Sequence, residues 1–156
     1  MQRKSLSSVQ CPVARTLDLV GEWWTLLILR DAFSGTKRFG QFQQSRGMAK
    51  NVLSARLRKL VEQGVLELVP TQDGGARQEY SLTAKGLSLF TIMVALRQWG
   101  ETNLCQPGEM DVVLVDRKNR QPVRQLELRS STGRLLKVSD LELVSPGNVR
   151  VGTAPA

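Results

Sequence analysis

Seven basic side chains lie between residues 36 and 61: Lys37, Arg38, Arg46, Lys50, Arg56, Arg58 and Lys59. The same stretch holds no Asp and no Glu. A local field of one sign attracts a polyanion, and nucleic acid is the commonest. Asn51 and Ser54 lie among these cations. Amide, hydroxyl and ammonium donors are the groups that read base edges in a DNA groove. Arg77, close behind Gly74-Gly75, can add charge against a phosphate. The remaining reactive groups are two thiols, Cys11 and Cys105. Their separation gives neither a metal-ligand spacing nor a disulfide framework. Histidine is absent, which removes His-based triads, His ligands and His general bases. Asp73-Gly74-Gly75 reads as a turn rather than a phosphate cradle. No catalytic residue, metal or cofactor is expected, and a thiol enzyme lacks a visible partner base.

These groups must be held by a chain of 156 residues, enough for one domain or one domain with an appendage. Lys+Arg 22 against Asp+Glu 14 gives a formal charge of +8. No apolar run approaches the roughly 20 residues of a membrane span. The start, MQRKSLSSV, lacks a signal-type apolar stretch, so the cytoplasm is the expected location.

Hydrophobic spacing then assigns elements. Residues 12–20 form a helix with Pro12 at its first position. Residues 22–33 are apolar nearly all round, which predicts a helix buried on most sides. A short helix over 39–45 turns Phe39 and Phe42 inward. Arg46-Gly47-Met48 makes a turn. The helix over 49–63 buries Leu53, Leu57, Leu60 and Val61 and ends at Gly64 in a left-handed cap. Its other face shows Lys50, Asn51, Ser54, Arg58 and Glu62, with Arg56 and Lys59 at its margins. Strands over 65–69 and 78–82 form a β-hairpin. Thr83 caps a long helix over 84–101, with Leu87, Phe90, Met93 or Val94, and Leu96 or Trp99 at helical spacing.

Beyond it the texture changes to β-branched and alternating runs at 110–115, 125–128, 135–138 and 141–144. Turns at Asn119-Arg120-Gln121-Pro122 and Ser131-Thr132-Gly133 separate them, so three or four short strands are expected. Such a segment is too short to bury a large core alone. It is expected to pack on its neighbour or on its mate in an oligomer.

Short helix, glycine turn, second helix and hairpin make a helix-turn-helix followed by a wing. In such a unit the second helix enters the major groove and the first crosses the backbone. The fold class is α+β. Asn51 suits a bidentate contact with adenine, and Lys50 suits guanine or a phosphate. Arg58, Lys37 and Arg38 suit phosphates, and Arg77 serves the wing. Arg56 is open between DNA and a salt bridge.

The stretches CPVARTLDLVGEWWTLLILRDAFSG, KRFGQFQQS, AKNVLSARLRKLVEQGVLE and EYSLTAKGLSL occur in that order. Together they resemble the HxlR-type winged helix-turn-helix transcriptional regulators. The resemblance implies a homodimer on an operator with inverted half-sites. It implies that the first helix and the long helix after the wing are dimerisation helices. It further implies that an N-terminal cysteine, here Cys11, responds to oxidants or electrophiles. Where the family often has Ser/Thr-Pro before the recognition helix, this chain has Met48-Ala49.

Position alone leaves Cys11 open between a buried packing residue and a thiol activated by a helix N-terminus. The resemblance favours the sensor. Cys105 is a second candidate, able to meet Cys11 of the other subunit if the Cα atoms come within about 7 Å. Trp23, Trp24 and Trp99 read as core or interface residues that could also line a small-molecule pocket. The expected organisation is a DNA-binding and dimerisation domain over 1–104 and a β-rich extension over 105–156. The leading expectation is a dimeric repressor of double-stranded operator DNA, with no membrane partner. Two alternatives remain. One is the same fold under a non-covalent small-molecule effector, and the other is a protein-interaction adaptor that no longer reads DNA.

Overall fold

The computed structural model describes residues 5–71, 77–106 and 108–148, apart from the side chain of Arg46. The chain divides into two units, Met1–Gly100 and Glu101–Ala156. No helix among the described residues is long and apolar enough to cross a membrane.

The first unit opens with α1 (Pro12–Val20) and α2 (Trp23–Phe33). Next come α3 (Phe39–Arg46) and α4 (Lys50–Glu62). The strands β1 (Leu66–Pro70) and β2 (Gln78–Leu82) pair antiparallel, with Leu68 opposite Tyr80. Then follow α5 (Ala84–Ser88) and α6 (Phe90–Asn103), which runs across the unit boundary. One apolar core joins the elements: Val20 of α1, Ile28 and Leu29 of α2, Phe42 of α3, Leu53, Leu57 and Leu60 of α4, Val65 and Leu66 at the hairpin, and Leu89. Side chains at i, i+4 and i+7 share one face of a helix, which is why the Leu53-Leu57-Leu60 stripe turns inward.

Two glycines stop helices in the left-handed region. Gly47 (φ +60°) ends α3 and Gly64 (φ +66°) follows α4, where an L side chain would be strained. Gly86 acts through space instead. A Cβ there would sit 2.2 Å from the Val65 carbonyl oxygen, so its absence lets α5 press against the chain entering the hairpin. Thr83 caps α5 as expected, its Oγ1 accepting from the Gly86 N–H at 3.1 Å.

Three expectations need correction. The helix over 84–101 is interrupted at Leu89, whose N–H bonds the Gly86 carbonyl three residues back. A turn that tightens there lets Leu89 enter the core beneath Gly86's close contact. Second, the stripe read over the long helix is largely not the buried one: Leu87, Phe90, Leu96 and Trp99 are exposed, and Leu89, Val94 and Gln98 are buried. These two helices are apolar on more faces than a single chain covers. By contrast α2 is covered on most sides, as expected. Thr25, Ile28, Leu29 and Asp31 are buried, and of its residues Trp23 alone is exposed, at 61%, stacking on Trp24 at 3.9 Å between ring centroids.

The third correction concerns the second unit. In place of three or four strands, the described residues there form two isolated bridges, Val115 with Pro122 and Arg129 with Leu135. Both expected turns are present, closed by Asp116 N–H to the Gln121 carbonyl (2.9 Å) and Ser130 N–H to the Arg134 carbonyl (2.9 Å). Single-turn 3₁₀ segments follow at Val138–Asp140 and Pro146–Asn148. Among the described residues, the alternating runs pair only through these single bridges and build no ladder.

Candidate nucleic-acid interface

The start of α4 sets which way its polar face points. Ala49 stands at the N-cap and supplies no side-chain cap, as Met48-Ala49 in place of a hydroxyl residue implies. Hydrophobic placement compensates. Met48, just before the cap, and Leu53, four positions after it, are both buried in the same core. Those are the positions of a hydrophobic staple, which fixes the angle at which the chain enters a helix. With Leu53, Leu57 and Leu60 anchored, Lys50, Asn51, Ser54 and Arg58 are all exposed. Four polar side chains of the right donor types therefore share the solvent side of one rigid helix.

The short helix before it is locked to α2 by a group that hydrophobic patterning does not reveal. Asp31 is buried, and its carboxylate accepts from the Ser45 hydroxyl of α3 at 2.7 Å and from the neighbouring Arg30 guanidinium. Its backbone carbonyl takes the Thr36 N–H at 3.0 Å. One buried acid so ties both the α2–α3 link, at Thr36, and the last turn of α3, at Ser45, to α2. A buried aspartate with neighbours of this kind had only a composition signal: a lone acid in an otherwise apolar helix.

The wing is fastened to the same frame. The Tyr80 N–H donates to the Lys37 carbonyl at 2.8 Å, so residues 36–38 lie against β2. Arg38 pairs with Glu79 of β2 at 2.8 Å, and the Phe42 and Tyr80 rings meet edge to face at 6.1 Å. Burial raises the Tyr80 phenol above its ordinary pKa. Gln41 holds the start of α3 by accepting from the Lys37 and Arg38 N–H groups at 3.2 and 3.0 Å. Arg77 is exposed at the mouth of the hairpin, where its carbonyl accepts the Thr71 N–H. Asp73, Gly74 and Gly75, read as the wing turn, lie outside the described residues.

The basic window therefore divides by role. Lys37, Lys50, Arg58 and Arg77 project into solvent. Arg56 turns the other way and pairs with Glu22, the N-cap of α2, at 3.2 Å. That closes its open reading in favour of the salt bridge. Lys59 donates to the Asp18 carbonyl in the last turn of α1 at 3.0 Å. There a cation meets the negative end of a helix. Arg38 is half exposed and also anchors the wing.

Neither thiol lies on the elements that form this face. Cys11 is the N-cap of α1, half-buried, in extended conformation and making no side-chain cap bond. Arg15 aims its Nε at the Val9 carbonyl, 2.8 Å away. Cys105 is also half-buried and free, its sulfur 3.9 Å from that of Met110.

A family model described as HxlR-like helix-turn-helix matches residues 19–107, more than half of the chain. The chain belongs to the HxlR-like family. Cys11 lies just ahead of the matched residues. An uncharacterised HTH-type transcriptional regulator of Mycobacterium tuberculosis, Rv3095, is 50% identical over 95 residues. That match spans 61% of this chain and 60% of the relative's length. The crystal structure of PA1607, a candidate transcription factor, is 50% identical and superposes with a TM-score of 0.85, covering 90% of this chain and 99% of that one. The redox regulator HypR, solved in reduced and oxidised forms, is 31% identical with a TM-score of 0.55. It aligns with 60% of this chain in its reduced form. The HxlR-like relatives are named as regulators rather than enzymes.

Proposed function

We propose that this HxlR-like protein is a dimeric, sequence-specific DNA-binding transcriptional repressor. The observation that carries the reading is the sidedness of α4: Leu53, Leu57 and Leu60 buried, Lys50, Asn51, Ser54 and Arg58 exposed. A helix so held presents donors to a major groove without moving its own frame. Lys50, Asn51 and Ser54, on the first turns, meet base edges. Arg58, Lys37 and Arg77 meet phosphates, and Arg38 joins them while holding the wing. The exposed apolar faces of α1 and α6 support a homodimer on inverted half-sites, since contiguous exposed apolar surface marks interaction sites.

The signal is assigned to Cys11. It stands on α1, away from the DNA-reading face, so its oxidation acts through subunit geometry and half-site spacing. The redox regulator HypR among the structural neighbours supports this reading.

A gel-shift titration on an operator recovered by genome-wide pull-down tests the docking. Lys50→Ala should weaken binding roughly tenfold or more and alter sequence preference. Arg77→Ala should weaken all sequences alike and lower the salt slope by about one. Unchanged affinity in both variants would sink the docking. Release of the operator by a mild oxidant should disappear in Cys11→Ser. A Cys11→Ser protein that still responds to its inducer points to a non-covalent effector instead.

A further inference from the structure

The segment after α6 is ordered in outline but has no core. None of the described residues in 101–148 is buried. Eleven large apolar side chains between Met110 and Val144 are exposed, Val138 at 90% and Leu143 at 103%. Local bonds shape the backbone all the same. The Val123 N–H reaches the Leu114 carbonyl at 2.9 Å, and the Leu136 N–H reaches the Leu128 carbonyl at 2.8 Å. Ordering a backbone costs about 1–2 kcal/mol per residue, and one hydrogen bond returns only about 1. A segment of this length holds a shape only by burying its apolar side chains against something. The same shape recurs in PA1607, whose match covers 90% of this chain and so takes in most of the segment.

What could cover it is narrowed by charge. Residues 105–156 carry eight Lys or Arg against six Asp or Glu, whereas residues 1–104 carry fourteen against eight. Most of the basic excess lies before the segment, so its surface suits protein rather than nucleic acid. The chain offers a matching surface of its own. Val13, Leu17, Trp23, Leu96, Trp99 and Leu104 are exposed on or just after its helices, and α6 leads straight into the segment. Eleven exposed large apolar side chains on the segment are the kind of surface that a standard stable interface, roughly 800 Å² per partner, takes out of water.

We propose that residues 105–148 form an arm that packs on a second copy of this chain and extends the homodimer interface begun by α1 and α6. This rests on the dimer assigned above. In a two-fold dimer each arm is presented once to its mate, and the two apolar surfaces of the chain are satisfied together.

The test uses the full chain. Val138→Asp/Leu143→Asp changes two side chains with almost no packing in their own subunit. We expect the dimer dissociation constant from sedimentation equilibrium to rise at least tenfold, with an unchanged circular dichroism spectrum. Lys118 and Lys137 are the only lysines of the segment. In a mixture of ¹⁴N- and ¹⁵N-labelled protein, amine cross-links from them to lysines of the first unit should include mixed-isotope pairs. A wild-type dimer that the double substitution leaves intact, with same-isotope cross-links only, overturns the arm and leaves the dimer standing. Loss of DNA affinity from an undisturbed dimer overturns it too and assigns the surface to DNA. A wild-type chain monomeric at every concentration overturns the dimer reading, and the arm with it.

Discussion

Arg56 and Arg58 stand two residues apart on α4 and face opposite worlds. Arg56 reaches Glu22 at the start of α2, and Arg58 reaches solvent. Their alanine variants should separate cleanly. Arg58→Ala should lower the salt slope of operator binding by about one and leave the melting temperature unchanged. Arg56→Ala should leave that slope alone and cost up to about 1 kcal/mol of stability, because its pair is partly exposed. Asp31 has a structural role and no place on the DNA face. Asp31→Ala strips the Ser45 hydroxyl of its acceptor and frees the Arg30 guanidinium inside the frame. Urea denaturation should show a loss of about 1–3 kcal/mol. Weaker DNA binding would follow from a loosened α3, with the base preference kept.

At the scale of elements, the junction between the hairpin and α5 controls how the DNA-reading unit meets the helix that follows it. Gly86 and Thr83 make that junction. Gly86→Ala forces a Cβ against the Val65 carbonyl, a backbone atom that cannot swing aside. Such overpacking costs about 1–3 kcal/mol, and thermal melting should read it directly. Thr83→Ala, losing a cap bond and its 2.6 Å donation to the Gly64 carbonyl, should cost about 1 kcal/mol. The wing adds a pH effect of defined sign. Burial raises the Tyr80 pKa, so the folded protein holds the phenolic proton more tightly than the unfolded chain does. That contribution is whole below about pH 10, the ordinary tyrosine value, and declines as pH rises above it. Denaturation at increasing alkaline pH should show a steeper loss for the wild type than for Tyr80→Phe.

For the whole molecule, the decisive property is that one chain leaves too much apolar surface uncovered. Trp99 is 60% exposed on α6 and Trp23 is open on α2. If a second copy covers them, stability is tied to protein concentration, because only the assembled state buries the surface. The melting temperature should rise with concentration for the wild type. A Trp99→Glu chain should stay folded, lose that dependence and bind operator DNA weakly as a monomer. Folding of the variant with an unchanged concentration dependence would place the interface elsewhere.

Much of the DNA-reading unit was legible in the sequence, because its period follows its burial. Leu53, Leu57 and Leu60 recur at helical spacing and are buried. Thr83 and Gly64 announce a helix start and a helix end with their own chemistry. The α+β order of helices and hairpin therefore followed from residue types alone. Tertiary structure decided everything that depends on which neighbour a side chain meets. Sequence placed Arg58 on the polar face but left Arg56 open, since a guanidinium at a helix margin looks the same until a carboxylate is placed beside it. It could not find Asp31, whose role arises from a serine fourteen positions on. The apolar stripe of 84–101 and the alternating runs after residue 108 misled for one reason: a hydrophobic pattern says that a face must be covered. Whether the cover comes from the same chain is a property of the fold.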